Sequence, residues 1–417
     1  MSVFCDVRTE FNRISVFGDL RLQWLDRFTS SLDYVVNKAR YPDCVIDFSN
    51  LTSITSSVIP PVASFLRHSL RQNKVEYDYI PPKDKILANR IANIGLAHYI
   101  DHRRYEKPKI KSSNPVLVQF LNSTECDEVS DRVINAVLRT TKLERQHITA
   151  LEWALSEITD NVINHSQSPV GGFLIHHKVP NSDIIEFTVA DSGIGIPRSL
   201  GISDEAEALQ CAIQEGVTRN KESNQGNGLY GTYRLSCSSS GLFSIRSRRG
   251  SLYVTREGET HTRREQLPYI GTIVNCQIDC SQPDLIKRAF IFNGRSHEPG
   301  FDYVERLHEN NEDDILVKAK DICSTFGSRK SGIEARNYIE NMLRSLSGNR
   351  IVIDFDGTAI ISSSFADEVF GRLFVKLGAM RFMRSIHIAN AESTVEALID
   401  RAISMRAKTG ISNTGID

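Results

Sequence analysis

Glu157 and Asn161 lie four residues apart in a stretch of helical periodicity, so a carboxylate and an amide oxygen stand one turn from each other. A carboxylate can orient or deprotonate a water. An amide oxygen is a hard ligand that suits Mg2+, a cation that keeps several of its own waters and needs few protein donors. Two glycine-rich stretches follow. "DSGIGIP" sets Gly193 and Gly195 behind Asp191, where an alternating strand ends. "NQGNGLYGTYRLSCSS" sets Gly226, Gly228 and Gly231 before a helix expected to begin near Leu229. Glycine permits close backbone approach to a ligand, and N–H groups at a glycine-rich helix start form an anion cradle. Each stretch alone is an ordinary turn; the three in this order are a signal.

The helix that carries the polar pair, "ERQHITALEWALSEITDNVINHS", has to present two stripes. At about 100° per residue, Leu151, Leu155, Ile158 and Val162 share one face, and Glu157, Asn161, Asn164 and His165 share a face roughly 90° away. Asp160 points to solvent. Asn and Asp compete for the backbone and form helices poorly, so their concentration here reads as the polar edge of a pocket floored by this helix. A strand, "PVLVQFL", and a helix, "ECDEVSDRVINAVLRTT", precede it.

The chain has 417 residues, which suggests about three domains. A net charge of −1 gives no global field for nucleic acid or membrane. No apolar run approaches the roughly 20 residues of a spanning helix, and the first residues lack a signal peptide's pattern, so a cytosolic protein is expected. Eight scattered cysteines form no CxxC pair, and Cys276 and Cys280 have no second ligand pair, so buried free thiols are expected rather than zinc. The basic stretch 244–265 reads as a solvated hairpin, with nucleic-acid contact disfavoured.

A repeat frames the chain. "VIDFSNLTSITSSV", 45–58, aligns without a gap to "VIDFDGTAIISSSF", 352–365. Each copy reads as an apolar strand, a short polar turn, and a helix whose first serine is an N-cap. Linkers are expected at 103–115 and between 293 and 314, where the composition turns polar.

Both copies resemble STAS domains, in which a strand ending in an Asp-containing turn leads to a serine at a helix start, a serine that can be phosphorylated. The first copy departs from the pattern in having Pro60 and Pro61 early in the helix. The second resembles a STAS-like family of unknown function that often follows an ATP-binding domain. The middle resembles the Bergerat ATP-binding fold of the GHKL group: "ALEWALSEITDNVINHS" is similar to its N box, "DSGIGIP" to its G1 box, "GNGLYG" to its G2 box and "GTIVNCQI" to its closing strand. The expected architecture is therefore multi-domain α/β, a central Bergerat-fold sandwich at 116–281 flanked by small STAS-like domains at 1–106 and 312–417.

The resemblance implies ATP and Mg2+ as ligands. Asn161 would hold Mg2+, Glu157 would act on the attacking water, and Asp191 would accept the adenine amino group, with Gly193 and Gly195 in the turn behind it. Gly226, Gly228 and Gly231 would line the phosphates, Thr272 would sit near the adenine, and Asn164 would extend the polar edge where the family often has a basic residue. Arg219 and Lys221, in the segment between the glycine stretches, are either phosphate contacts or solvated surface. A histidine kinase is set aside, because His147 lies within the N-box helix itself. Three readings follow: an ATPase switch that signals to a protein partner or a second copy through the STAS-like domains, which is favoured; an anti-sigma-type serine kinase acting on Ser56, Ser57, Ser363 or Ser364; and a nucleotide-gated scaffold that does not hydrolyse.

Overall fold

The computed structural model describes residues 4–108, 115–217, 228–292, 294–296, 314–323, 325–345 and 350–412. The protein is a multi-domain α/β molecule with several sheets. It forms two compact units. One takes in the chain to residue 108 with 115–131 and 150–296; the other takes in 132–149 and the described residues from 314 onward.

The first unit holds two sheets. β1 (Cys5–Glu10), β2 (Arg13–Leu20), β3 (Asp43–Ile54) and β4 (Glu76–Ile80) lie in that order, β1 antiparallel to β2 and the other two pairs parallel. Helices α1 (Leu25–Asp33), α2 (Ile59–Asn73), α3 (Lys85–Ile94) and α4 (Leu96–Ile100) complete this layer. β3 differs from the expected strand and polar turn: it continues through "SNLTSI" to Ile54, because Gly18 and Leu20 of β2 pair with Leu51 and Ile54, which are both buried. The expected serine cap is absent from the first copy and present in the second. In the first copy, Ser56–Val58 is a single tight turn with no side-chain cap, and Pro60 and Pro61 sit in the first turn of α2, where a missing N–H costs nothing.

The second sheet of this unit is antiparallel throughout, in the order β5 (Val118–Phe120), β6 (Gly172–Lys178), β7 (Ile184–Asp191), β9 (Thr260–Asp279) and β8 (Phe243–Val254). Alternation gives it two faces. On one, Phe173, Ile175, Ala190 and Ile273 join a single apolar core with the N-terminal layer, including Val58, Val62, Phe65 and Tyr99. The ring of Tyr99 meets Phe173 edge-on at 5.1 Å. On the other face, Phe243 packs against Tyr233 of α9 (Gly228–Ser238). Helix α6 (Arg145–Asn161) lies beside α9, with Trp153 so close to Gly231 that a Cβ there would fall 2.2 Å from the ring. Helices α7 (Ile196–Leu200) and α8 (Glu205–Ala212) pack on β8 and α10 (Leu285–Ala289) on α9, while α5 (Ser123–Thr140) begins in this unit and ends in the other. The basic stretch is indeed a hairpin, β8–β9, and the start of β9, 260–268, is mostly exposed. The expected solvated hairpin holds only for that stretch: most of β8 is buried, including Ile245, Ser247, Leu252 and Val254, and buried Arg246 pairs with Asp26 of α1.

The short strands β10 (Ile291–Phe292) and β11 (Arg295–Ser296) pair with each other. In the second unit, β12 (Asp314–Lys318), β13 (Arg350–Asp354) and β14 (Ile386–Ala389) form a parallel sheet with β13 central. Around it run α11 (Ala319–Ile322), α12 (Arg329–Ser345), α13 (Ser363–Ala366), α14 (Arg372–Leu377), α15 (Ala379–Ser385) and α16 (Ser393–Ser412). Ser362 caps α13 by accepting the Phe365 N–H at 3.0 Å. Buried Glu368 is held by Arg336 at 3.0 Å and Arg372 at 3.1 Å, tying α12 to the helices after it. Asn341 of α12 is 1% exposed, and its amide reaches the connection between α5 and α6: it donates to the Leu138 and Thr141 carbonyls, both at 2.7 Å, and accepts the Leu143 N–H at 2.9 Å. The last carbonyls of a helix have no partner within it, and Asn341 supplies one for α5.

No helix among the described residues is long and apolar enough to cross a membrane. All eight thiols are free, and six of them are buried.

Candidate functional site

Glu157 sits on α6 where the apolar stripe meets the edge. It is half-buried and hydrogen-bonds to no other described residue. Burial, helped by repulsion from the exposed Asp160 one turn away, pushes its carboxyl up to about 7. A carboxyl near neutrality is poised for proton transfer. It lies against the first residue of α9: a Cβ on Gly228 would fall 2.0 Å from Glu157 Oε2. Only glycine lets the start of α9 come this close, so the carboxylate and the backbone of the second glycine stretch share one location. Asn161, one turn on, is half-buried, and its side chain makes no hydrogen bond to a described residue, which leaves its oxygen available.

The helix then changes character. Residues Val162–Ser166 form a single π turn closed by Gln167 in the left-handed region, φ 54°. Extra residues per turn rotate the end of the helix relative to a regular wheel. Within this turn Asn164 is exposed, whereas Asn161 before it and His165 after it are half-buried. The same turn aims the Ser166 carbonyl at the Asp191 turn, where it accepts the Ile194 N–H at 2.7 Å. Gly193 is pressed so tightly on Ser166 that a Cβ would fall 2.0 Å from that oxygen.

Asp191 ends β7 on the face shared with α6 and α9. It is 3% exposed. Burial pushes its carboxyl up to about 7, although backbone N–H groups of Gly193 and Thr272 donate to it and pull the other way; the Gly193 bond is 2.7 Å. Gly195 has φ +82°, a conformation that side chains rarely adopt, and it faces the hydroxyl of Ser247. Ser247 fastens the turn to the closing strands: it accepts the Ile196 N–H at 2.9 Å, donates to the Gly271 carbonyl at 3.0 Å, and lies 3.1 Å from the Thr272 hydroxyl.

Helix α6 thus touches both glycine stretches. Glu157 meets Gly228, and the end of the helix clasps Gly193, while Asp191, Gly195 and Thr272 gather at the far end through Ser247. Gly231 is a packing position under Trp153. Gly226, Arg219 and Lys221 lie outside the described residues. Ser247, Tyr269 and Gly271 were missed in the sequence, where an isolated serine on a basic hairpin carries no pattern; only the pairing of β8 with β9 brings Ser247 beside Thr272. Chemically, the arrangement offers a buried acceptor for an amino group at one end and a near-neutral carboxyl beside a glycine-opened helix start at the other.

A comparison with curated proteins gave no match. Residues 331–396, which hold most of α12 and all of β13 to β14, match the model of a STAS-like domain of unknown function.

Proposed function

We propose that the five-stranded sheet and helices α6 and α9 form a Bergerat-type site that binds Mg-ATP and hydrolyses it, and that the cycle is a regulatory switch read by a protein partner or a second copy through the STAS-like domains. The observation that carries this reading is the Glu157 carboxyl: lifted to about 7, without a hydrogen bond to any described residue, and set against the backbone start of α9. A carboxyl whose pKa lies near the working pH can take a proton from water.

In this reading Asp191 accepts the adenine amino group, and the turn through Gly193 and Gly195 lets the base approach. The start of α9 at Gly228 offers N–H groups to phosphate oxygens. Thr272 stands next to the Asp191 carboxylate. The donor set near Asn161 suits Mg2+, since one amide oxygen with phosphates and waters is a sufficient shell. The cation neutralises phosphate charge when bound. Glu157 takes the proton from the attacking water. Asn341 supports the signalling part: a buried side chain within the matched STAS-like segment grips the connection that leads directly into α6.

The serine-kinase reading is second. In the first copy Ser56 is buried, which disfavours it as an acceptor, whereas Ser57 is half-buried with its hydroxyl 3.3 Å from that of Thr55. In the second copy Ser364 is half-buried and hydrogen-bonded to Ser362, whereas Ser363 is exposed at the start of α13. Incubation with Mg-ATP, followed by phosphate assay and intact mass, separates the readings. The switch predicts phosphate release with the protein mass unchanged. One added phosphate per chain at Ser56, Ser57, Ser363 or Ser364 would replace the switch with the kinase, and neither release nor labelling would remove both.

A further inference from the structure

On the side of the central sheet turned away from α6, three hydroxyls meet in the contact with the N-terminal layer: Ser192 just after β7, Tyr269 of β9 and Ser64 of α2. Asp191 and Ser192 are consecutive at the end of an extended strand, so their side chains leave on opposite faces. Asp191 goes toward Thr272. Ser192, 2% exposed, goes to the N-terminal layer, where its hydroxyl lies 2.7 Å from that of Ser64 on α2, itself fully buried. Tyr269, 1% exposed, donates its O–H to the backbone carbonyl of Asp191 at 3.1 Å, and the hydroxyls of Ser64 and Ser192 lie beside it. The peptide that bears the candidate adenine acceptor is therefore held from behind by a side chain of β9 and by a helix of the N-terminal layer.

Alanine at position 64 would satisfy the packing. Buried hydroxyls are costly unless each finds its partner, and these do so only when α2 sits in one register against the turn. The surrounding contacts agree with a single docked position: Arg246 pairs with Asp26, Arg71 donates to the Pro169 carbonyl, and the Ser56–Val58 turn lies on β6 and β7.

We propose that the N-terminal four-stranded layer is a built-in clamp on the Asp191 turn, with Ser64 and Tyr269 as positioning residues, so that ligand binding at Asp191 and docking of α2 stabilise each other. The coupling is reciprocal by linkage. It rests on the nucleotide reading only for the ligand that reports it.

The test uses the full chain with Ser64→Ala, Tyr269→Phe and, as a control in the same layer away from the turn, Ile14→Val. Amide hydrogen exchange at Ser192, Gly193 and Ile194 is followed without nucleotide, and Mg-ATP affinity is followed against pH. The clamp predicts exchange at these amides faster by roughly tenfold in Ser64→Ala and Tyr269→Phe, ATP binding weaker by a similar factor, and a pH midpoint of binding moved downward as the turn opens to water; Ile14→Val leaves all three unchanged. Unchanged exchange at 192–194 in the folded variants overturns the clamp, as does an equal change in the control. If Ser64→Ala does not fold, Tyr269→Phe decides alone. If the parent binds no ATP, the nucleotide reading falls, and the exchange result still decides the clamp.

Discussion

Replacing Glu157 by Gln should make the protein more stable at alkaline pH while abolishing turnover. The carboxyl titrates at about 7 in the fold, against 4.5 for an unperturbed glutamate. Below 4.5 both folded and unfolded chains hold the proton, and the group is neutral to stability. From 4.5 to 7 the unfolded chain gives up its proton and the folded one does not, so stability falls as pH rises, and above 7 the loss is complete. At 1.36 kcal/mol per pKa unit the loss reaches about 3 kcal/mol at pH 8, an upper figure, and stays under about 1 kcal/mol at pH 5. Gln has nearly the same shape and no charge to desolvate, so Glu157→Gln recovers this difference. For a unit of this size, thermal denaturation should show a midpoint higher by roughly 5 °C or more at pH 8, and little change at pH 5. Phosphate release from ATP should fall at least about 100-fold in the same variant. A midpoint that is equal or lower at pH 8, or a difference that does not depend on pH, would refute the reasoning that the carboxyl is held near neutrality by burial.

Three further outcomes are expected. Asp160→Asn removes the repulsion that adds to burial at Glu157, so the rising limb of the pH–rate profile should move to lower pH; an unmoved limb would take Asp160 out of the account. Asn161→Ala should abolish the Mg2+-dependent part of ATP affinity and leave the Mg2+-independent part, as read by calorimetry with and without the cation. Asn341→Ala removes three buried hydrogen bonds and leaves helix-end groups unpaired, so denaturant unfolding should show a loss of roughly 2–4 kcal/mol, with increased exchange at the Leu143 amide.

The apolar floor and the polar edge of the candidate site were legible because helical and strand periods are local. Leu151, Leu155, Ile158 and Val162 are all buried, and Glu157 stands at the edge where the wheel puts it. The failures begin where geometry stops being regular. Nothing in "NVINHS" announces the π turn that ends the helix at Val162–Ser166. The gapless match between residues 45–58 and 352–365 suggested the same strand and turn in both copies. Their neighbours decide otherwise: β2 pairs along "SNLTSI" and extends β3, whereas β13 has parallel partners only to Asp354. Ser192, Ser64 and Tyr269 meet across 77 and 128 positions of sequence, and a basic hairpin gave no sign that Arg246 would be buried against Asp26. Contacts of this kind are products of tertiary packing and leave no periodic trace.

The most direct test of the central claim is calorimetric titration of the full chain with ATP and Mg2+ at pH 8, where Asp191 is ionised, in the parent and in Asp191→Asn. The account predicts one site per chain in the parent and affinity lower by roughly 10- to 100-fold in the variant, because a buried acceptor facing the adenine amino group is replaced by an amide that cannot accept equally well. No binding by the folded parent, or equal affinity in the two proteins, would contradict it.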